Sequence, residues 1–167
     1  MADPLILTLR LDAATFARLN ALRQRLFPDR GYRLPAHLTL FHHLPGDEAP
    51  RIAAELEELA AGTAPIPLAV TEVLKFNPGA AYKVQSPRLK DFRAGLAERW
   101  EDWLTRQDRS FRAHVTVQNK VASRDDAFPA LAAEFKPFEA TGTGLLLWHY
   151  RGGPWEPAGD YRFGGIE

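Results

Sequence analysis

Apolar residues alternate with others from the start of the chain. Leu5, Leu7, Leu9 and Leu11 are separated by Ile6, Thr8 and Arg10, the two-residue period of a strand. Asp12 is placed to cap a helix, and Phe16, Leu19, Leu22 and Leu26 then recur on one stripe. That helix runs to about Phe27, where Pro28 and Gly31 end it. A strand follows, then a turn at Pro45-Gly46 and a helix over about 49–61. Ile52, Leu56 and Leu59 of this helix point inward, and Glu55, Glu57 and Glu58 form a solvated outer face. Gly62 stops it, and residues 66–76 read as another strand.

Asn77-Pro78-Gly79 is a strong turn signal, and after it the same order recurs. A strand near 81–85 leads to Ser86-Pro87, a cap and first helical position. The helix from Pro87 to about 105 buries Leu89, Phe92, Leu96, Trp100 and Trp103. A strand over about 112–121 comes next, then a shorter helix near 125–134 with Pro129 in its first turn. A strand over about 138–150 turns through Gly152-Gly153-Pro154 into a last strand ending near Phe163. The expected fold is α+β and bilobal: a duplicated β-α-β-α-β unit, two antiparallel sheets facing across a central cleft, helices outside. No Ser/Gly/Pro-rich linker separates the halves, so one domain over 1–167 is expected, with lobes of about 1–78 and 79–167.

Within the duplication lies a repeated tetrapeptide, His37-Leu38-Thr39-Leu40 and His114-Val115-Thr116-Val117, spaced 114 − 37 = 77 residues apart. On a strand, histidine and threonine share one face and the two aliphatics share the other. Two such strands packed about a pseudo-two-fold axis would gather two imidazoles and two hydroxyls around one spot. Imidazole, with an unperturbed pKa of about 6.5, serves as base or acid near neutrality. Threonine hydroxyls donate to the non-bridging oxygens of a phosphate. His37 and His114 are therefore the candidate catalytic pair, with Thr39 and Thr116 binding substrate.

Continuing the same periodicity puts Phe41 and Gln118 on the histidine faces. Phe41 is a candidate to stack a base and Gln118 to hydrogen-bond one, with core or rim packing as the alternative. Arg10 shares a face with Thr8 and either approaches the phosphate or makes a surface salt bridge. His42, His43 and His149 have no assigned role, and the strand is expected to end or bulge before Pro45. The four tryptophans read as core or hairpin packing.

Length and composition bound the partners. With 46% hydrophobic and 25% charged residues, 167 residues suffice for one well-cored domain. Absence of cysteine excludes disulfides and thiolate metal sites. A metal site built from His37, His42 or His43 with Asp47 or Glu48 lacks any recognised ligand spacing, so neither metal nor cofactor is expected. No signal peptide or 18-residue apolar run is present, and a cytoplasmic, membrane-free monomer is the expectation. Net charge is zero and evenly spread, which argues against clamping a long duplex. It favours a small nucleotide, an oligonucleotide end or a structured RNA held at its reacting phosphate.

The two H-x-T-x segments, one per half, resemble those of the two-histidine phosphoesterases, the superfamily of 2′-5′ RNA ligase-like proteins and cyclic phosphodiesterases. Phe111-Arg112-Ala113 before the second motif and Gln118-Asn119-Lys120-Val121 after it resemble the family as well. The resemblance implies two lobes across a cleft and metal-independent chemistry on phosphodiesters. The expected activity is opening of 2′,3′-cyclic phosphates of RNA ends or nucleotides, with reverse 2′-5′ RNA ligase activity as a further expectation. The alternatives are another cyclic or linear phosphodiester, or a nucleotide- or RNA-binding module without turnover.

Overall fold

The computed structural model describes residues 2–28 and 34–164, so the Gly31 expected to stop the first helix lies outside the described residues. Along the chain, β1 (Leu5–Leu11), α1 (Ala13–Leu26), β2 (Leu38–Leu44), α2 (Ala49–Ala61) and β3 (Ile66–Phe76) make up the first series. The second is β4 (Gly79–Gln85), α3 (Pro87–Arg99), β5 (His114–Gln118), α4 (Phe128–Glu134) and β6 (Phe138–His149), with β7 (Glu156–Arg162) appended.

Local chemistry sets the boundaries. Asp12 accepts from the Thr15 amide at the start of α1, and the Ser86 hydroxyl accepts from the Leu89 amide at the start of α3, each satisfying an amide with no partner inside its helix. Gly79 closes the β3–β4 hairpin with φ +118°. A side chain there would meet the Gln118 carbonyl at 2.4 Å. The third helix is shorter than its hydrophobic stripe predicts. It stops at Arg99, where Trp100 takes φ −106° and ψ 20° and caps the helix; the Trp100 indole packs edge-on to Phe41 at 5.3 Å and donates to Glu55 at 2.9 Å. Glu55 is thereby drawn out of the expected solvated face; Arg51 donates to it and Arg99 lies 3.7 Å away.

All strand pairs are antiparallel and join into one hydrogen-bonded sheet, β2-β1-β6-β3-β4-β5, with β7 also on β6. The two series exchange their third strands. β3 pairs with β4, and β6 pairs with β1. Each lobe of the sheet thus takes two strands from one half of the sequence and a third from the other. The long β6 links the lobes, bonding to β1 over Gly142–His149 and to β3 over Phe138–Gly142. Because β1 is central, Leu5 through Leu9 are buried on both of its faces; Leu19, Ile52, Leu56, Leu145 and Leu147 share its core cluster. Among the described residues no helix is long and apolar enough to cross a membrane.

Candidate active site

The two H-x-T-x segments occupy equivalent places. In the first, Leu9 pairs with Leu38 and Thr8 with Thr39; in the second, Tyr82 pairs with Val115 and Ala81 with Thr116. Leu38, Leu40, Val115 and Val117 are buried, while both histidines and both threonines are half-buried. Each imidazole is held the same way: His37 Nδ1 donates to the Pro35 carbonyl at 2.8 Å and His114 Nδ1 to the Arg112 carbonyl at 2.6 Å. A carbonyl only accepts, so both Nδ1 atoms carry hydrogen, and each Nε2 is left to take or give a proton. Among the described residues neither threonine hydroxyl has a protein hydrogen-bond partner.

A buried arginine ties the motifs together. From α1, Arg23 Nε donates to the Leu34 carbonyl at 2.8 Å and Nη1 to the Thr116 carbonyl at 2.6 Å. One guanidinium therefore grips the segment leading into His37 and the strand carrying His114. Burial pushes Arg23 down to about 10, which still leaves it charged near neutrality. Burial in turn holds His37 down at about 4, assisted by the Arg23 charge and, more weakly, by His114 and His42. The two histidines thus lie within electrostatic reach of each other. From the other half, Arg93 on α3 reciprocates, donating to the Leu40 carbonyl at 3.0 Å and the Asp108 carbonyl at 2.6 Å. Each half's helix anchors the other half's histidine strand.

Beside His37 lies a cavity of about 320 Å³ lined by Thr8, Arg10, Phe16, Leu146, Trp148 and Trp155 among others, a size usual for small-molecule sites. The Trp155 ring tilts over His37 with centroids 4.5 Å apart, and Trp148 donates to the Thr8 hydroxyl at 3.0 Å. Arg10 also lines this cavity while bonding to Thr143 at 3.1 Å, and its pair with Asp160 at 3.7 Å is the expected salt bridge. Trp148 and Trp155 serve as cavity wall as well as hairpin packing.

The family model described as the 2′-5′ RNA ligase superfamily matches residues 11–154, most of the chain and both motifs. The chain belongs to that superfamily. Solved structures share the fold. TT0787 of Thermus thermophilus is 19% identical with a TM-score of 0.67, over 98% of this chain and 100% of that one. A phosphoesterase at 17% identity has a TM-score of 0.60, covering 98% and 99% of the two chains. Escherichia coli LigT complexed with 3′-AMP is 16% identical with a TM-score of 0.59, over 98% and 99%. No curated protein sequence matches the chain.

Two of the expected substrate contacts of this 2′-5′ RNA ligase superfamily member are not where strand periodicity puts them. Thr8 pairs with Thr39 but Leu7 with Phe41, and Ala81 pairs with Thr116 but Ala80 with Gln118. A β-bulge therefore sits at the fourth residue of each motif, Leu40 and Val117, and an added residue swaps the faces beyond it. Phe41 is 0% exposed, against Trp100 and under the Arg93 guanidinium, so it is core rather than a base-stacking surface. Gln118 is 2% exposed; its amide donates to the Leu26 and Asp125 carbonyls and accepts from Ala127, leaving nothing for a base. A second register shift beyond Phe41 turns His42 and His43 outward. Their amides and His42 Nδ1 all donate to the fully buried carboxylate of Asp108, a residue that sequence reading had passed over. Arg23, Arg93 and Trp155 were missed too; a basic residue interrupting the apolar stripe of each helix was the available sign. Among the described residues no cluster of three His, Asp or Glu is arranged for a metal ion.

Proposed function

We propose that the protein is a metal-independent phosphodiesterase opening 2′,3′-cyclic phosphates of RNA ends or nucleotides by proton transfer between His37 and His114. The reading is carried by one observation: both Nδ1 atoms are fixed on backbone carbonyls, with Arg23 spanning the two motifs. His37, kept neutral by burial and by Arg23, is the base. Its Nε2 takes a proton from water as the water oxygen bonds to phosphorus. The bond from phosphorus to one ribose oxygen breaks, and His114 gives that oxygen a proton from its own Nε2. Thr39 and Thr116, with uncommitted hydroxyls, hold the two non-bridging oxygens, where charge is greatest in the transition state. The nucleoside lies in the tryptophan-walled cavity, its base against Trp155. E. coli LigT, similar in fold, is complexed with 3′-AMP, ATP and NADP+, which supports a nucleotide-sized occupant. With a ribose 5′-hydroxyl on the His114 side and the two histidines exchanging roles, the same geometry is a 2′-5′ RNA ligase: His114 takes the hydroxyl proton, the 5′ oxygen bonds to phosphorus, and the bond to the ribose 3′ oxygen breaks as His37 gives that oxygen a proton. The whole chain acts as a single cytoplasmic unit, a monomer with no metal.

The deciding assay follows opening of 2′,3′-cyclic nucleotides and a cyclic-phosphate-ended RNA in excess EDTA, with product isomers resolved. Turnover to a single isomer, undiminished by the chelator, is expected. Binding without turnover would make the chain a recognition module, and loss with EDTA would require a metal.

A further inference from the structure

The two-fold relation of the halves extends beyond the motifs to the space around them, and there the two sides differ in charge. The cavity beside His37 is bounded by β1, the start of α1, Pro35-Ala36-His37 and β6. Its counterpart is bounded by β4, the start of α3, Phe111-Arg112-Ala113 and Leu74 of β3, a space of about 670 Å³ next to His114. Tryptophans wall the first. The second is lined instead by Lys83, Lys90 and Arg112. Lys83 pairs directly with His114 across the β4–β5 ladder, so their side chains share a face. It is held by Glu72 at 3.3 Å. Lys90 and Arg112 are exposed and, among the described residues, meet no acidic partner. Three cations thus line a cavity beside a proton-transfer histidine, in a chain whose net charge is zero.

In-line displacement at phosphorus needs room on both sides of the reacting atom. With the cyclic-phosphate nucleoside against Trp155, the entering or departing alcohol lies on the His114 side. We propose that this basic cavity binds the nucleotide on that side, with Lys90 and Arg112 on phosphate beyond the reacting one and Lys83 nearest the reaction centre. The proposal rests on the phosphodiesterase reading above and adds to it a preference for a phosphate downstream of the reacting one. In a linear 2′-5′ diester, the neighbouring ribose 3′-hydroxyl forms its bond to phosphorus and loses its proton to His37. The bond to the 5′ oxygen breaks, that oxygen takes a proton from His114, and the products are a 2′,3′-cyclic phosphate and a free 5′-hydroxyl nucleotide seated among the lysines.

The test compares three substrates: 2′,3′-cyclic AMP, 2′-5′-linked diadenosine, and the same dinucleotide with a phosphate on the downstream 3′ oxygen. The added phosphate should lower KM about tenfold in the unaltered protein, the worth of a charge-assisted hydrogen bond. Lys90→Glu should erase that gain while leaving cyclic AMP opening within about twofold. Lys90→Glu with Arg112→Glu should also flatten the salt dependence of dinucleotide binding by a log–log slope of about 1.4 for two lost phosphate contacts on a single strand. No gain from the phosphate, or a gain that survives both charge reversals, would overturn the proposal. Failure to open cyclic AMP would instead sink the phosphodiesterase reading. Fluorescence anisotropy of the labelled phosphorylated dinucleotide then still decides the cavity: weakening by Lys90→Glu upholds it, and unchanged binding rejects it.

Discussion

An imidazole is useful to a phosphodiester only when its proton inventory is fixed in advance, and here that is arranged by neighbours rather than by the histidines themselves. The Nδ1–carbonyl bonds select the tautomer, and burial with the Arg23 charge keeps His37 unprotonated. Replacing His37 or His114 by alanine should cut turnover about 10²–10⁴-fold, with the double variant little worse than the poorer single one. Steady-state kinetics on a cyclic nucleotide checks this; a single variant retaining half the rate removes that residue from the mechanism. The pH profile carries a second consequence. With His37 as the proposed base, the acid limb of kcat/KM should lie near pH 4, well below the ordinary histidine value. Arg23→Gln should move that limb upward, toward 6.5, and Arg23→Lys should move it less because it keeps the charge. Linkage gives stability the same sign. The unfolded chain binds a proton to His37 at a higher pH than the folded one, so this residue costs stability as pH falls from about 6.5 through 4, and none of that cost is felt above 6.5.

At the scale of strands and helices, alternation read the motifs correctly up to their threonines and failed one residue later. Sidedness is local in a regular strand, and His37 with Thr39 and His114 with Thr116 follow it. A bulge is specified by the partner strand, which no window of the bulged strand contains, and so Phe41 and Gln118 were read onto the wrong face. Asp108 shows what such distant pairings are worth. Burial pushes its carboxyl up, but the hydrogen bonds from His42 and His43 outweigh burial and hold it below the usual carboxylate value. Asp108→Ala would leave the His42 and His43 amides without an acceptor beneath the strand. A loss of about 3 kcal/mol is expected, read as a lower urea midpoint with unchanged m. The carboxylate's contribution is present above its unfolded value of 3.8 and disappears as pH falls below it. Unfolding curves of the variant and the unaltered protein should therefore converge in acid.

For the whole molecule, element order was legible because each helix and strand announces itself locally, and the doubled order pointed to two related halves. The exchange of third strands was not legible, since pairing partners are chosen by the burial of entire faces. Zero net charge likewise concealed a basic cavity on one side of the histidines and an aromatic one on the other. The exchange has a consequence for folding. The β1–β6, β3–β4 and β3–β6 ladders all join residues from different halves, whereas only β1–β2, β4–β5 and β6–β7 stay within one. A fragment of residues 1–78 keeps a two-stranded ladder with β3 unpaired, and 79–167 keeps two separate two-stranded ladders, β4–β5 and β6–β7; ladders that small are marginal in water. Arg23 and Arg93 would also lose their acceptors on the opposite half, Thr116 and Leu40. Expressed separately, each fragment should lack a cooperative thermal transition and amide protection. Mixed or co-expressed, the two should regain both, with catalytic activity returning in proportion to the product of their concentrations. A fragment that folds cooperatively alone would show that the crossed ladders and reciprocal arginines are not what binds the halves together.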